Sequence, residues 1–358
     1  MQDNTKKAYF AAANTAQGFV SYYKDCFGGE DISRMYMIKG GPGTGKSRFL
    51  GDVAHAAAER GWAVEYYYCS SDPSSLDGLI LSHAKKGRIA LADSTPPHVL
   101  EPTLPGVRDV MVNLGDFWDR EKLAQNGKRI RLLNSYKQQG FAQAYAYLHT
   151  AGTLLDVRDS LIAPCTYTDR LLRTAGKIAR LFPKGEGYRE RIGLCDSIGI
   201  KGRVHLSTYE SMADRVVVLA PFYGLEFVMM RALCEHARSR GSTVWRAPHV
   251  ICPEKTVALY FPNTRLCVTT ARALEKAGLD VKHVDLRRFC NADALRGVRG
   301  QARLAQKMAE SALDAACECF TRAGEYHFEL ESLYTDAMDF GEKERFTATF
   351  CDAILSSP

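Results

Sequence analysis

Residues 40–47 read Gly-Gly-Pro-Gly-Thr-Gly-Lys-Ser and match the pattern G-x-x-x-x-G-K-[ST] in full. They follow a short apolar run at 35–38 that is typical of a buried strand. They precede residues 48–60, where apolar side chains recur at helical spacing. The stretch therefore predicts a strand, a glycine-rich loop and a helix in that order, as in α/β proteins built on parallel sheets.

The glycines of this loop allow torsion angles and a close approach that a Cβ would forbid, so successive amides can turn inward around an anion. Lys46 would reach the β- and γ-phosphates of a nucleotide and hold charge that develops during transfer, while the Ser47 hydroxyl would ligate Mg²⁺. The sequence thus predicts a site for ATP and Mg²⁺. The residues expected to contact the nucleotide are Gly40, Gly41, Pro42, Gly43, Thr44, Gly45, Lys46, Ser47 and Arg48.

Asp93 is the second residue that we expect to serve the magnesium ion. It ends the apolar run 89–92, and a carboxylate at the end of a strand beside the loop would hold a magnesium-bound water. The alternative is that Asp93 caps a turn before the two prolines that follow. No Glu comes next, because Ser94 and Thr95 stand there, so we expect slow hydrolysis.

Asp72 is the candidate for orienting the attacking group. It follows a strand predicted over 63–68, and strand ends on the loop side of a parallel sheet point toward the ligand crevice. A carboxylate there could orient water or an acceptor hydroxyl. The alternative is a helix-starting turn, because Asp72 precedes Pro73 and two serines.

The sequence contains an internal repeat. Residues 112–117 (Val-Asn-Leu-Gly-Asp-Phe) resemble 284–289 (Val-Asp-Leu-Arg-Arg-Phe), and Pro73 aligns with Pro253 upstream. We therefore predict two tandem units with parallel central sheets, each followed by a long helical arm, and these arms are expected over 129–159 and 301–339.

The second copy lacks the phosphate-binding residues of the first. Residues 220–226 read Ala-Pro-Phe-Tyr-Gly-Leu-Glu, which places Leu225 at the lysine position and Glu226 at the serine position. The counterpart of Asp93 falls near Thr269 or Thr270. Because a carboxylate repels phosphate, we expect this copy to bind no triphosphate. It either regulates the first copy or is half of an obligate fold.

The expected domains are a nucleotide-binding repeat with its arm at 1–165, a basic helical connector at 166–195 and a degenerate repeat with its arm at 196–358. In the connector, four cations recur at helical spacing on one face. They could meet the bound nucleotide, an acidic protein or a nucleic acid, or could form a solvated surface. These cations are Arg170, Arg173, Lys177 and Arg180.

The composition agrees with a globular protein. The 358 residues are 46% apolar and 25% charged, and the net charge of +6 is too small to indicate nucleic acid by itself. No window approaches the roughly 18 apolar residues of a membrane span, so no membrane association is expected. Eleven scattered cysteines favour reduced thiols, and we expect a cytoplasmic protein.

Several of these stretches together resemble a bacterial family of duplicated P-loop ATPases. The resemblance covers nearly the whole chain and implies ATP binding rather than a particular reaction. In that family the second copy often has its own phosphate loop, and this sequence departs from the family there. The matching segments are 14–19 (Asn-Thr-Ala-Gln-Gly-Phe), 40–47, 69–73 (Cys-Ser-Ser-Asp-Pro) with Leu76-Asp77-Gly78, and 93–98 (Asp-Ser-Thr-Pro-Pro-His).

The sequence leaves three functions open. The first is a slow magnesium-dependent ATPase. The second is a nucleotide or small-molecule kinase whose helical arms close over an acceptor beside Asp72. The third is a non-catalytic switch or scaffold in which ATP orders the two copies and the arms grip a partner.

Overall fold

The computed structural model describes residues 7–271 and 279–356. It has a mixed α/β fold with two six-stranded, mostly parallel sheets and long helices, which confirms the α/β expectation. None of the helices within the described ranges is long and apolar enough to cross a bilayer. All eleven cysteines are free thiols.

The first sheet is built from the first third of the chain, with the strand order β1-β5-β6-β7-β4-β8. Strands β2 and β3 form a separate hairpin. The elements are β1 (Lys7–Phe10), β2 (Ala12–Thr15), β3 (Gly18–Ser21), α1 (Tyr23–Phe27), β4 (Ile32–Lys39), α2 (Lys46–Glu59), β5 (Ala63–Tyr68), β6 (Leu76–His83), β7 (Gly87–Asp93) and β8 (Asp109–Asn113), then α3 (Arg120–Gln125), α4 (Gly127–Ile162) and α5 (Thr168–Ile178).

The second sheet has the order β16-β12-β15-β14-β13-β9, and β10 and β11 form a second hairpin. Its first strand, β9, lies inside the segment that the sequence assigned to a connector; the domain limits themselves stay a prediction. The elements are β9 (Arg189–Ile192), β10 (Asp196–Gly199), β11 (Gly202–His205), α6 (Thr208–Met212), β12 (Arg215–Ala220), α7 (Leu225–Ser239), β13 (Thr243–Pro248), β14 (Thr256–Phe261), β15 (Leu266–Thr269), β16 (Asp280–Asp285), α8 (Ala292–Thr335) and α9 (Phe340–Ser356).

The two sheets share one pattern of strand directions. In the first, β4 is parallel to β7 and β8, and β1 is parallel to β5, whereas β6 is antiparallel to both of its neighbours. The same directions recur from β9 to β16 in the second. The expectation of wholly parallel sheets was therefore wrong in one strand of each, because the turn after β5 leads into a hairpin and not into a helix.

The two long helices pack against each other in antiparallel orientation. Near one end Arg129 meets Glu329, and near the other the Arg158 guanidinium donates to the Gln306 side chain. The expected arms are therefore present, although α8 ends at Thr335 and not at residue 339. The chain then turns into α9, so that the last helix of the chain returns to the first sheet.

Helix α9 completes the layer on one face of the first sheet. Its Phe350 contacts Phe49 of α2, with ring centroids 5.2 Å apart, and its Ile354 and Leu355 are buried in the same cluster. The helix predicted over 48–60 is α2, which begins two residues earlier than expected. The last helix of the described chain thus packs against α2, which follows the glycine-rich segment.

Candidate functional site

The glycine-rich segment 40–47, called loop 1 here, joins β4 to α2 at the edge where β4 lies between β7 and β8. Gly43 and Gly45 both have a φ of +71°, in the left-handed region that side chains with a Cβ rarely adopt. Gly45 is the residue immediately before α2. The loop therefore presents the amino end of a 14-residue helix, where backbone amides and the helix dipole favour an anion.

Lys46 folds back across loop 1. Its Nζ donates hydrogen bonds to the carbonyls of Gly40 and Gly41, at 2.8 and 2.9 Å, and lies 3.6 Å from Oδ2 of Asp93. The Thr44 hydroxyl also donates to the Gly41 carbonyl, at 2.9 Å. The structure thus brings the predicted lysine and the predicted magnesium residue together.

Asp93 is placed by the register of β7 against β4, where it pairs with Ile38, two residues before loop 1. Its Oδ1 accepts the amide of Thr95 at 2.8 Å, and the Thr95 hydroxyl donates to the Gly40 carbonyl at 2.9 Å. The Asp93 carboxylate is therefore buried and held against the loop. It also caps the turn that follows, as the alternative interpretation expected, and its role for magnesium stays a prediction.

Ser47 occupies the first turn of α2, where its hydroxyl accepts the amide of Leu76 at 2.9 Å. That contact fixes the loop against the beginning of β6. Arg48 points elsewhere, because its guanidinium pairs with Glu344 of α9 at 2.9 Å on the surface. Its expected contact with the nucleotide stays a prediction.

Asp72 lies in the turn between β5 and β6. Its Oδ1 accepts both the amide and the hydroxyl of Ser74, at 3.1 and 2.6 Å, and its carbonyl accepts the amide of Ser75 at 2.9 Å. The side chain is engaged by its own turn, as in the alternative interpretation, although that turn opens a strand. Its role in orienting a nucleophile stays a prediction.

Two residues of the long helices reach the same region and were missed from the sequence. Burial lowers the pKa of His327 on α8 to about 4, and the charges of Lys137 on α4 and Lys46 act in the same direction, whereas Asp72 opposes them. Burial and the charge of Lys46 also lower the pKa of Lys137. These helices lie far from loop 1 along the chain, so no local pattern could have revealed the contact.

Lys343 of α9 is the third missed residue. Its side chain is fully buried, and its Nζ has no hydrogen-bond partner within the described residues. The Nζ stands 3.5 Å from the place that a Cβ on Gly45 would take. Burial lowers the pKa of Lys343. A desolvated ammonium group thus rests directly on loop 1.

Residues 220–226, called loop 2 here, occupy the equivalent edge of the second sheet between β12 and α7. The Glu226 carboxylate turns back into the loop and accepts the amide of Phe222 at 2.9 Å. Burial raises the pKa of Glu226, although backbone hydrogen bonds and Arg158 oppose the shift. Arg158 of α4 lies against Gly224 and is paired with Asp159.

The Asp93 position of the second sheet carries Thr269, which pairs with Val218 of β12. Its hydroxyl donates to the buried Glu210 at 2.8 Å. The second sheet thus has a hydroxyl, tied to its own neighbour, where the first has a carboxylate. Arg170, Arg173 and Lys177 lie on α5, whereas Arg180 lies in the short turn after it; all four side chains are exposed, and their partner stays a prediction.

Searches against protein-family models, curated protein sequences and solved structures found no match to this chain.

Proposed function

We propose that this protein binds ATP with Mg²⁺ at loop 1 and hydrolyses it slowly. The observation that carries the proposal is Lys46, which crosses a loop with left-handed Gly43 and Gly45 and lies 3.6 Å from Asp93. The loop carbonyls that hold Lys46 are weak partners for an ammonium group compared with a polyphosphate. A bound triphosphate would draw Nζ from these carbonyls toward its outer phosphates.

The side chains at loop 1 suit a hard divalent cation. Mg²⁺ prefers oxygen ligands, and the Ser47 hydroxyl and the Asp93 carboxylate supply them at the end of β4 and β7. Bound there, Mg²⁺ would neutralise part of the phosphate charge. The protein itself would position the phosphates through the amides of the loop and through Lys46.

Slow hydrolysis follows from the residues after Asp93. Efficient turnover needs a base or a side chain that orients the attacking water. Ser94 and Thr95 stand there, and the Thr95 hydroxyl is already donated to the Gly40 carbonyl. Loop 1 is therefore better suited to holding a triphosphate than to cleaving it rapidly.

We further propose that the two halves are copies of one unit and that only the first binds nucleotide. Their sheets share strand order and strand direction. The matching turns repeat one backbone hydrogen bond: the Cys69 amide donates to the Ser75 carbonyl, and the His249 amide donates to the Lys255 carbonyl, each at 2.9 Å. In loop 2 the carboxylate of Glu226 takes an amide that a phosphate would need. A triphosphate would have to displace that buried anion.

The test measures melting temperature and phosphate release on the full chain. ATP with Mg²⁺ at about a hundredfold over its dissociation constant should add roughly 2.7 kcal/mol of stability, a rise of a few degrees. Phosphate should appear slowly without any added acceptor. No thermal shift would refute nucleotide binding, and ADP formation only with an added acceptor would favour a kinase.

A second candidate, a nucleotide-gated switch, is favoured by the contact between loop 1 and α8. A Cβ on Gly43 would meet the Glu331 carbonyl and would stand 2.8 Å from the Thr335 hydroxyl, so the loop and the helix end are in direct contact. Movement of the loop on binding would reach α8. ATP-dependent protection of α8 from hydrogen exchange, without turnover, would support the switch over the ATPase.

A further inference from the structure

Three metal-ligating side chains converge beside loop 1, outside the residues assigned to Mg²⁺. Cys69 follows β5, Asp77 lies in β6, and His98 follows the turn after β7. One ligand atom of each lies within 4.8 Å of the other two. Asp77 Oδ2 and His98 Nε2 are 3.3 Å apart.

The cluster contains a buried polar atom that lacks a hydrogen-bond partner. Asp77 Oδ2 has its 3.3 Å contact with His98 Nε2, whereas His98 Nδ1 has no hydrogen-bond partner among the residues at 7–271 and 279–356. An unpaired buried group costs about 1–3 kcal/mol, and native proteins usually satisfy such groups with water or an ion. A cation bound among the carboxylate, the imidazole and the thiol would neutralise the buried Asp77 carboxylate and use one imidazole nitrogen.

The ligand residues are fixed by their surroundings. The His98 ring stacks on Tyr23, with centroids 4.7 Å apart and 17° between the planes, and Phe19 packs against it edge-on at 5.1 Å. The His98 amide donates to the Thr95 carbonyl at 2.9 Å. An ion would therefore meet side chains that are already oriented, which reduces the entropy lost on binding.

We propose that Cys69, Asp77 and His98 bind a divalent transition-metal ion, for which Zn²⁺ is the best match. A thiolate with an imidazole selects zinc-like ions over Mg²⁺ and Ca²⁺, which prefer oxygen alone. Three protein ligands leave a fourth position for water. On binding, the S–H bond of Cys69 breaks, its proton passes to solvent, and the sulfur electron pair forms the metal–sulfur bond without any redox change.

At the equivalent positions of the second half, the side chains either bond to the backbone or are apolar. His249 stands where the first half has Cys69, and its Nδ1 accepts the amides of Ile251 and Cys252 at 3.2 and 3.0 Å. Val257 follows at the Asp77 position and cannot ligate an ion. The proposed site thus belongs to the first half alone, and it does not depend on nucleotide binding.

The test is a titration of the full chain with Co²⁺ after removal of metals by a chelator, with no nucleotide present. A cobalt–thiolate bond gives a near-ultraviolet charge-transfer band, which oxygen ligands such as Ser47 and Asp93 cannot produce. The wild-type protein should develop this band at about one equivalent, and Zn²⁺ should abolish it. Absence of the band at saturating Co²⁺ would overturn the proposal in the unaltered protein.

Two variants assign the ligands. Cys69→Ser should remove the band, whereas Cys252→Ser, which changes a buried cysteine of the second half, should leave it in place. His98→Gln should keep a thiolate band but weaken Co²⁺ binding by roughly tenfold or more, which keeps the assignment testable if Cys69→Ser does not fold. A band that survives Cys69→Ser, or an unchanged affinity in His98→Gln, would place the ion elsewhere and refute this site.

Discussion

Loop 1 and loop 2 sit at equivalent edges of two similar sheets, but they satisfy their charges differently. In loop 2 an amide is bound by the chain's own Glu226, and the buried cation above it, Arg158, is paired with Asp159. In loop 1 the corresponding position is Ser47, and the buried cation that touches the loop, Lys343, has no hydrogen-bond partner in the described chain. Loop 2 is electrostatically complete, whereas loop 1 presents positive groups suited to an external anion.

Under the proposed function, this difference would let one backbone arrangement bind a phosphate in loop 1 and an internal side chain in loop 2. A helix amino end favours negative charge whether that charge is a carboxylate of the same chain or a bound phosphate. In loop 2 the Glu226 side chain already accepts the amide of Phe222, and it would compete with any ligand for that donor. Loop 1 has Ser47 at that position, so no carboxylate there would compete with the proposed ligand, whose binding would add stability.

The largest expected effect is on ATP-dependent stabilisation, and one matched pair of substitutions compares the two loops. Lys46→Met should abolish the roughly 2.7 kcal/mol of ATP-dependent stabilisation at a hundredfold excess over the dissociation constant, because the ammonium group at the outer phosphates is lost. Leu225→Met places the same side chain at the same position of loop 2, where a volume-conserving change should cost under about 1.5 kcal/mol. Melting curves with and without ATP and Mg²⁺ measure both.

The proposed difference between the loops would be contradicted if Leu225→Met lost the ATP-dependent rise in melting temperature as fully as Lys46→Met. That result would mean that loop 2 contributes to binding, or that the two halves bind nucleotide only as a unit. If Lys46→Met kept the full ATP-dependent rise in melting temperature, loop 1 would not be the nucleotide-binding site.

The sequence predicted the core of this region because its chemistry is local. The strand, the glycine loop, Lys46 and the first turn of α2 lie within about twenty residues, and their spacing alone fixes their relation. The position of Asp93 at the end of β7 was also predictable, since an apolar run ending in an acid marks a strand end, and its role for magnesium stays a prediction. Lys343 was missed because only the packing of α9 brings it to Gly45. Strand β6 was missed because Asp77 and Gly78 interrupt its apolar pattern.

Replacing the buried cation at each loop should change the free energy of unfolding by a smaller amount, and the sign should be opposite at the two loops. Lys343→Met should raise the free energy of unfolding without nucleotide by about 1–2 kcal/mol, because it removes an unpaired buried ammonium group and keeps its volume. Arg158→Met should lower the free energy of unfolding, since it removes the ion pair with Asp159 and the hydrogen bond to Gln306, although Asp159 keeps its pair with Lys255. Urea unfolding of the two variants at one pH measures both.

The Lys343→Met and Arg158→Met variants can also contradict the claimed difference between the two loops. If Lys343→Met were destabilising, the ammonium group would have a stabilising role in the folded protein without nucleotide, and loop 1 would not be the incomplete member of the pair. If Lys343→Met also reduced the ATP-dependent shift, the lysine would contribute to holding the bound anion.

The smallest expected effect is a pH dependence that belongs to loop 2. Burial raises the folded-state pKa of Glu226, so its contribution to stability is complete below the unfolded-state pKa and is lost as pH rises through the folded one. Glu226→Gln keeps an oxygen that can accept the Phe222 amide but cannot ionise. Its free energy of unfolding relative to wild type should therefore rise as pH increases from about 4 to about 7.

Glu235→Gln, an exposed change on the same helix, controls for the loss of one negative charge. If Glu226→Gln instead became relatively less stable toward neutral pH, the ionised carboxylate would be a net stabiliser of loop 2. Loop 2 would then be closed more firmly against phosphate than its buried charge suggests.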